Sequence, residues 1–374
     1  LQFVQESKVA AEFLSKHAKA SGEQKESLSF TDSRFQTNLL YIQMSFEKAL
    51  KQLKLSNNHT LFIDGIDIRP DGIEYPEYLD CVKGLANAVW QLNNDFFPTI
   101  NDSKGRLKVV LLVRPDIFAS IGLQNRNTKL KSNSVYLDWQ TSYADYETSS
   151  LFKMTDKLLS NQQDKKIKST LSKTGDAWNY YFPYTTKRGD KKKGNDSSFI
   201  GFLRYSFYRP RDILMMLEFL KENSIAKGQT EKLSYGFEDF DSPEFKRKLA
   251  DHLLGEIKDQ ISFYYNDDDY ELFLKFFELL NGVTKFTYQE YTKVHANLLA
   301  FIKTTEKETP NFMGTANQFL QFLYELNVLC YVEDVEKHKP FIHWSFKDKS
   351  FSNVSPKVKE NVRYEIFYGL TRAV

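Results

Sequence analysis

The feature that most constrains this chain is the segment Thr60-Leu61-Phe62-Ile63-Asp64-Gly65-Ile66-Asp67, in which an apolar run leads directly into an acidic turn. Residues 60–63 have the composition of a buried strand. A carboxylate at the end of such a strand suits a hydrated magnesium ion, because magnesium takes oxygen ligands and keeps most of its waters. We therefore predict that Asp64 holds magnesium and that Asp67, beyond a glycine that permits a tight turn, orients a water. The alternative is that Asp64 is an ordinary solvated carboxylate.

A second apolar run, Lys108–Val113, is rich in valine and leads into Arg114-Pro115-Asp116. Such a run predicts a strand buried on both faces, as in a parallel sheet covered by helices. A third strand is predicted at 135–138. Three helices are also predicted, of which one starts after Asp32 as its N-cap, one covers about 79–92 and one covers about 143–160. The alternation of strands and helices predicts an α/β domain with a doubly wound, mostly parallel sheet.

Changes in composition divide the chain into three predicted domains, which are an α/β core over 1–160, a helical domain over 161–282 and a third domain over 283–374. In the third domain, predicted helices near 287–303 and 315–327 precede two predicted strands at 329–332 and 341–346. Two helices followed by a β-hairpin are typical of a winged helix.

The overall composition indicates a soluble protein of the cytoplasm. The 374 residues include 51 basic and 49 acidic side chains, so the net charge of +2 gives no general attraction to nucleic acid or to an anionic membrane. No apolar run approaches the roughly 20 residues that span a bilayer. Cys81 and Cys330 are the only cysteines, which makes a disulfide framework or a zinc site unexpected and favours a reducing compartment.

Four motifs follow one another along the chain. They are a strand that ends in Asp64-Gly65-Ile66-Asp67, a strand that ends in Val113-Arg114-Pro115, a helical region with Tyr208-Arg209-Pro210-Arg211, and a hairpin strand Phe341-Ile342-His343-Trp344-Ser345-Phe346. This order resembles the STAND class of P-loop ATPases, and the NACHT-like branch in particular. A narrower resemblance is to uncharacterised bacterial P-loop ATPases that carry a similar His-Trp-Ser strand and a C-terminal winged helix.

The resemblance implies a P-loop sheet followed by a helical lid and a winged helix, with ATP or ADP and Mg²⁺ as ligands. It implies that Asp64 holds magnesium through water, that Asp67 polarises the hydrolytic water and that Arg114 senses the γ-phosphate. A guanidinium suits this last role because it presents a planar fork of donors. The alternative is that Arg114 only pairs with Asp116 at the strand end.

The resemblance also implies that Pro210 lies against the adenine, that Arg211 reaches the phosphates and that His343 extends toward the β-phosphate. Two alternatives stay open. The segment around Pro210 also fits an ordinary helix start, with proline at the first position and Asp212 near the helix dipole. His343, which has apolar neighbours in sequence, also fits a satisfied histidine of a core.

No Gly-x-x-x-x-Gly-Lys-Ser/Thr segment occurs in the 374 residues. Such a loop is the main cradle of the triphosphate, because its backbone N–H groups and its lysine bind the phosphates. Since the chain starts at Leu1 and not at methionine, we expect this loop and its strand to lie upstream. The alternative is a degenerate site that binds nucleotide poorly.

Together these features predict a nucleotide-dependent switch that hydrolyses ATP when a P-loop is present. The class resemblance implies bacterial stress or anti-phage signalling, with another copy of the chain or an effector protein as partner. The alternatives are a DNA-binding, initiator-like ATPase and a scaffold with an inactive site. DNA binding is disfavoured because residues 316–326, the helix expected to enter DNA, contain no lysine or arginine.

Overall fold

The computed structural model describes residues 30–66, 69–70, 72–100, 105–120, 133–163, 171–187, 195–262, 264–305, 307–334, 340–349, 353 and 355–372. The chain divides into two compact units, Leu1–Leu123 and Gln124–Val374, which we call unit 1 and unit 2. This boundary lies earlier than the predicted one at 160/161. The predicted helical domain and the predicted third domain both belong to unit 2.

Unit 1 contains a β-α-β arrangement preceded by a long helix. Its elements are α1 (Phe30–Lys51), β1 (His59–Ile63), α2 (Tyr75–Gln91), a π-helical turn (Leu92–Phe96), a 3-10 turn (Phe97–Thr99), β2 (Leu107–Leu111) and α3 (Pro115–Ser120). Strands β1 and β2 pair in parallel, from His59 opposite Leu107 to Ile63 opposite Leu111. A hairpin cannot join parallel strands, so the connection runs through α2.

A small core holds the end of α2 against β2. Val89, Phe97, Ile100 and Val109 are buried together. The side chain of Asn93 strengthens this contact, because its Nδ2 donates to the Val109 carbonyl at 2.8 Å and its Oδ1 accepts from the Val109 N–H at 2.9 Å. The amide side chain thus pairs with the edge of β2 as a neighbouring strand would.

Three predictions for this part of the chain are wrong. Strand β1 is not buried, since Leu61 and Phe62 are 59% and 62% exposed, and β2 is only partly buried, with Val109 as its one buried residue. Residues 135–138 have no regular structure, and Val135 and Leu137 are exposed. Asp32 lies inside α1 and does not cap it. Among the described residues, the parallel sheet therefore consists of β1 and β2.

Unit 2 is mainly helical. Its helices are α4 (Ser150–Asn161), α5 (Asp176–Tyr181), α6 (Ser198–Arg204), α7 (Pro210–Ala226), α8 (Phe237–Phe240), α9 (Pro243–Ser262), α10 (Asp267–Leu280), α11 (Tyr288–Thr304), α12 (Ala316–Glu325) and α13 (Ser345–Asp348). Its strands are β3 (Thr185–Lys187), β4 (Asn195–Ser197), β5 (Lys285–Thr287), β6 (Leu329–Glu333), β7 (Phe341–His343) and β8 (Arg363–Ile366). Strands β3 and β4 pair with each other, and the other four form an antiparallel sheet in the order β5-β8-β6-β7.

One continuous apolar core runs through unit 2. Trp178 of α5 is fully buried in it, and Leu151 and Phe152 of α4 belong to the same core although they were assigned to the first domain. Phe276 of α10 packs on Phe319 of α12 with ring centroids 5.2 Å apart. The predicted boundary at 282/283 therefore falls inside a shared core.

The C-terminal part keeps the predicted order of two helices and a hairpin, with two changes. Strand β7 ends at His343, and the predicted second half of that strand forms the helical turn α13. The Asn327 side chain accepts a hydrogen bond from the Phe346 N–H at 2.8 Å, and the Trp344 carbonyl accepts hydrogen bonds from the N–H groups of Lys347 and Asp348. The backbone N–H groups of the turn therefore have hydrogen-bond partners. Strand β8, which no sequence pattern predicted, lies between β5 and β6.

Candidate functional site

Asp64 lies directly after β1, as predicted. Its side chain is exposed, and its Oδ1 accepts a hydrogen bond from the Gly65 N–H at 2.8 Å. Gly65 has a φ of +78°, a left-handed conformation that glycine adopts without the steric cost of a Cβ atom. The chain therefore turns immediately after the carboxylate. Asp67 lies outside the described residues, so its role stays a prediction.

Arg114 follows the neighbouring strand at the same edge of the sheet. The Leu112 N–H donates to the Ile63 carbonyl at 2.9 Å, which extends the parallel pairing one residue beyond β2. Asp64 comes one residue after β1, and Arg114 comes three residues after β2. Because paired parallel strands end at a common edge, a carboxylate and a guanidinium follow the same end of this pair.

Arg114 also starts a short helix. Its carbonyl accepts the Phe118 N–H at 3.0 Å, and Pro115 is the first residue of α3, a position that proline favours. The Arg114 side chain is partly buried. The side chain of Asp116, its partner in the alternative prediction, lies outside the described residues.

A single described carboxylate at this edge is compatible with a magnesium ion that arrives with a nucleotide. Asp64 supplies one exposed carboxylate. Across the part of the chain that the structure describes, no group of three or more His, Cys, Asp or Glu side chains is arranged to hold a metal. Magnesium is commonly bound by one or two carboxylates together with substrate phosphates and water, and needs no cage made only of protein ligands.

The segment from Arg209 to Asp212 forms the start of α7. Pro210 is the first helical residue. The Arg209 guanidinium pairs with the buried Asp212 carboxylate, Nη2 to Oδ1 at 2.6 Å, and its Nη1 lies 2.9 Å from Glu256. Arg211 is exposed and lies 3.2 Å from the same Glu256 carboxylate. Arg209 is therefore fixed by structural ion pairs, whereas Arg211 presents an accessible guanidinium.

His343, the last residue of β7, lies between two carboxylates. Its ring stacks on Tyr331, with centroids 4.5 Å apart and planes 8° from parallel. Its Nε2 lies 3.3 Å from Glu333 Oε2, off the direction of a hydrogen bond, and its Nδ1 lies 3.6 Å from Asp348 Oδ2. The Asp348 carboxylate also accepts a hydrogen bond from the Tyr324 hydroxyl at 2.7 Å. Burial, with Asp348 as a further cause, raises the pKa of Tyr324.

These acidic neighbours bear on the predicted phosphate contact of His343. Glu333 also accepts a hydrogen bond from Lys359 at 2.5 Å, and Lys359 together with His343 lowers the pKa of Glu333. A phosphate that approaches His343 meets the negative charges of Glu333 and Asp348, which oppose its binding. The described geometry is therefore better suited to a bridge between β6, β7 and α13 than to an anion contact.

Residues of the two motifs of unit 2 contact each other. Phe346 packs against Phe207 and Tyr208, with ring centroids 5.7 and 5.2 Å apart, and Lys347 Nζ lies 5.0 Å from the Tyr208 ring centroid. Tyr208 directly precedes Arg209 and has a φ of +58°. A left-handed conformation of a residue other than glycine costs on the order of 1–3 kcal/mol and is enriched at ligand sites. The fold thus joins two motifs that are distant in sequence.

Sequence reasoning missed the polar groups beside this contact. Arg204 pairs with the buried Asp196 at 2.9 Å, and its Cζ lies 5.5 Å from the Tyr143 ring centroid. Lys347 Nζ lies 4.9 Å from the centroid of the same ring. No local pattern signals this cluster, because its members come from four separate segments that only tertiary packing brings together.

A comparison of the chain with protein-family models, with curated proteins and with solved structures found no match. A functional assignment therefore depends on the residues and their geometry. Both cysteines are free thiols, Cys81 exposed and Cys330 buried. Within the described ranges, no helix combines the length and the apolar composition needed to cross a bilayer.

Proposed function

We propose that this chain is part of a nucleotide-dependent switch of the P-loop ATPase type, which binds ATP with Mg²⁺ and hydrolyses it. The observation that carries the proposal is that Asp64 and Arg114 follow the same end of two paired parallel strands. Open α/β sheets bind ligands outside the carboxyl ends of their strands. A carboxylate and a guanidinium at that edge are complementary to a polyphosphate with its metal ion.

Each residue of unit 1 has one role in this proposal. A magnesium ion, when bound, neutralises charge that develops on the phosphoryl oxygens. Asp64 accepts hydrogen bonds from water molecules of the ion, and Asp67 orients the attacking water. Arg114 donates hydrogen bonds to the γ-phosphate and so distinguishes a triphosphate from a diphosphate.

In the same proposal, unit 2 responds to the bound nucleotide. Pro210 lies against the base, Arg211 reaches the phosphates and His343 contacts the diphosphate. The exposure of Arg211 supports its role. A phosphate that contacts His343 must overcome electrostatic repulsion from the carboxylates of Glu333 and Asp348. Exchange of ATP for ADP then shifts the equilibrium between two conformations of the protein. By the class resemblance, the switch acts in the bacterial cytoplasm in stress or anti-phage signalling, through oligomerisation or an effector protein.

The proposal requires a phosphate-binding loop that the 374 residues do not contain. In P-loop ATPases the backbone N–H groups of this loop and its lysine hold the β- and γ-phosphates. Nucleotide binding is therefore to be measured with the complete gene product. If that protein binds no nucleotide in the presence of Mg²⁺, the inactive-scaffold alternative is supported.

Asp64→Asn tests the mechanism. We expect the variant to bind ATP while its Mg²⁺-dependent turnover falls by at least ~100-fold, which is the range for loss of an electrostatic catalytic group. Asp80→Asn is the matched control, because Asp80 is an exposed carboxylate on α2 of the same unit. Its turnover should equal that of the unsubstituted protein. Undiminished turnover of Asp64→Asn would remove Asp64 from the mechanism.

A DNA-binding role for α12 has less support. The helix contains no lysine or arginine, and its polar side chains already have protein partners. Asn317 donates to Glu360 at 2.8 Å, and Gln321 bonds with the Pro356 carbonyl at 3.0 Å and the Val358 N–H at 2.9 Å. Because non-specific DNA affinity comes from cations that neutralise phosphates, we expect weak DNA binding with almost no salt dependence.

A further inference from the structure

Four lysines among the described residues of unit 2 hold their ammonium group over an aromatic ring. They are Lys232 over Tyr235, Lys258 over Tyr270, Lys275 over Phe301, and Lys347 over both Tyr143 and Tyr208. The first three also pair with a carboxylate, which belongs to Asp239, Asp267 and Glu278 respectively. Among the residues that the structure describes, Lys347 has no carboxylate within ion-pair distance. It is therefore the exception in its group.

The surroundings of Lys347 are aromatic. Its Nζ lies 4.9 Å from the Tyr143 centroid, 5.0 Å from the Tyr208 centroid and 5.9 Å from the Phe346 centroid. Burial lowers the pKa of Lys347. Ring faces attract a cation, but a charge withdrawn from water is usually accompanied by an opposite charge as well. The aromatic cage of Lys347, which consists of Tyr143, Tyr208 and Phe346, supplies ring faces but no carboxylate within ion-pair distance.

No described carboxylate next to the cage pairs directly with Lys347. Arg204 shares the Tyr143 ring with Lys347, and it pairs with the carboxylate of Asp196. Asp348, the next residue in sequence, attracts Lys347 from beyond ion-pair distance, while its carboxylate accepts a hydrogen bond from the Tyr324 hydroxyl and faces His343. Among the described residues, Arg204 therefore has a carboxylate at ion-pair distance, whereas Lys347 has only the more distant Asp348.

A hydroxyl group in the same cluster also lacks a partner. The Tyr208 hydroxyl is buried, and it makes no hydrogen bond of acceptable geometry with the described residues. Burial is the main cause that raises the pKa of Tyr208, and the neighbouring Tyr143 hydroxyl adds to it by its charge and as a poorly aligned hydrogen-bond neighbour. Buried polar groups without a partner are rare in native proteins. A ligand that completes this cluster must accept hydrogen bonds and carry negative charge.

We propose that Lys347, Arg204, Tyr208 and Tyr143 form a binding site for a compact oxyanion with the size and charge of a phosphate group. The ammonium and guanidinium groups supply positive charge, and the Tyr208 hydroxyl supplies a donor. An anion bound there links the segment before α7 to α13. The inference is independent of nucleotide binding at Asp64, which belongs to the other unit.

Inorganic phosphate is the probe for this site, and Lys347→Met is the first variant. Methionine keeps an unbranched apolar side chain in the aromatic cage and removes the charge. Phosphate is titrated into the full chain at constant ionic strength, with chloride as the balancing anion, and binding is followed by calorimetry and by the shift in Tm. We expect saturable binding with a dissociation constant on the order of 1 mM. Lys347→Met should weaken it by at least ~10-fold.

Lys275→Met is the matched control. Lys275 Nζ lies 4.7 Å from the Phe301 centroid, as close to a ring as Lys347, but it pairs with Glu278. Its loss should leave phosphate binding unchanged. Equal weakening in both variants would show a general effect of charge and overturn the proposal.

Tyr208→Phe separates a binding site from an aromatic cage with a structural role only. The variant keeps the ring below Lys347 and removes the hydroxyl without a partner, so a structural cage keeps its stability. An anion site loses a donor, and we expect phosphate to bind several-fold more weakly. Absence of phosphate binding to the unsubstituted chain at up to about 100 mM, or binding that neither Lys347→Met nor Tyr208→Phe alters, overturns the proposal. Tighter binding of AMP than of phosphate supports the same site with a nucleotide as the source of the anion.

Discussion

Units 1 and 2 differ in how fully their apolar side chains are covered. In unit 1, Leu61 and Phe62 of the parallel strand β1 face solvent, and so does Phe46 of α1, which is 66% exposed. In unit 2, Phe319 of α12 and Tyr364 of the antiparallel strand β8 are fully buried. Parallel sheets occur almost only with both faces covered, whereas antiparallel sheets tolerate one face in water. The parallel strand β1, which should be covered on both faces, is thus more exposed than the antiparallel strand β8. We therefore expect unit 2 to be the more stable unit.

The helix starts differ in the same direction. Helix α2 of unit 1 has Glu74 as its N-cap residue, and the side chain of this residue makes no capping hydrogen bond. In unit 2, N-cap side chains that accept hydrogen bonds from the first turn include those of Ser149, Ser197, Asn266, Thr287 and Thr315. A cap of this kind contributes about 1 kcal/mol. Local chemistry therefore adds to the difference that the cores establish.

The largest expected effect is on thiol reactivity. Cys81 of unit 1 is exposed, whereas Cys330 of unit 2 is buried, and burial raises the pKa of Cys330 to about 12. The thiolate is the reactive form, so Cys330 should react only when unit 2 opens. We expect it to be labelled at least ~10³-fold more slowly than Cys81, given an ordinary stability for unit 2. Mass spectrometry of peptides from labelled native protein measures both rates, and equal rates would refute the difference between the units.

The second effect is on stability when a phenylalanine is truncated. Phe273 of α10 is fully buried, whereas Phe62 of β1 is 62% exposed. Phe273→Ala should lower the free energy of unfolding by about 3–5 kcal/mol, through lost burial and the cavity left behind. Phe62→Ala, with the same chemical change, should stay within about 0.5 kcal/mol. Urea unfolding is followed by tryptophan fluorescence, to which Trp90 of unit 1 and Trp178 of unit 2 both contribute. Hydrogen exchange resolved by peptide then assigns each loss of stability to its unit. A large loss for Phe62→Ala would mean that β1 is covered in solution.

The third effect concerns the buried ion pair at the start of α7. Asp212 is fully buried, accepts the Phe207 N–H at 2.8 Å and pairs with Arg209. Asp212→Ala leaves the guanidinium and the N–H group without this acceptor and should cost about 3 kcal/mol of unfolding free energy. The exposed Arg211 pairs only at the surface, so Arg211→Ala should cost about 0–1 kcal/mol. Similar costs in the two variants, measured by urea unfolding, would argue that the Asp212 pair is open to solvent.

Sequence reasoning predicted the elements whose signal is local. The end of β1 directly before Asp64, the helix α2 near the predicted 79–92, and the hairpin of β6 and β7 each depend on a contiguous pattern, and the structure contains all three. Val135 and Leu137 alternate with polar residues in the same way but have no partner strand among the described residues. A strand pattern indicates that a segment is able to form a strand, but whether it pairs depends on residues that are distant in sequence.

The candidate sites divide in the same way. Asp64 and Arg114 could be predicted to share one edge, because each follows the carboxyl end of a recognisable strand. Tyr208 and Lys347 could not be predicted as neighbours, since their contact arises from tertiary packing between the segment before α7 and α13. Lys347 is distinguished because no described carboxylate pairs with it, and this can be recognised only when the positions of the surrounding side chains are known.

The smallest expected effect lies at the start of α11, where the two units differ in helix capping. Glu290 accepts the Thr287 N–H at 2.7 Å and the Thr287 hydroxyl at 2.9 Å, and these bonds lower the pKa of Glu290. Because its pKa is lower in the folded than in the unfolded chain, this carboxylate stabilises unit 2 fully above the unfolded value of about 4.3. The contribution is lost as the pH falls through the folded pKa.

Glu290→Ala should therefore destabilise unit 2 at neutral pH, and the difference from the unsubstituted chain should shrink below about pH 4. Glu77→Ala is the counterpart in unit 1, because Glu77 occupies the same position of the first turn of α2, where the cap makes no side-chain hydrogen bond. Its effect on stability should show no such decline, since there is no capping box to lose. Urea unfolding across the acidic range measures both. If the Glu290→Ala difference keeps its size in acid, the bonds to Thr287 do not depend on the charge of Glu290, and side-chain capping does not distinguish the two units.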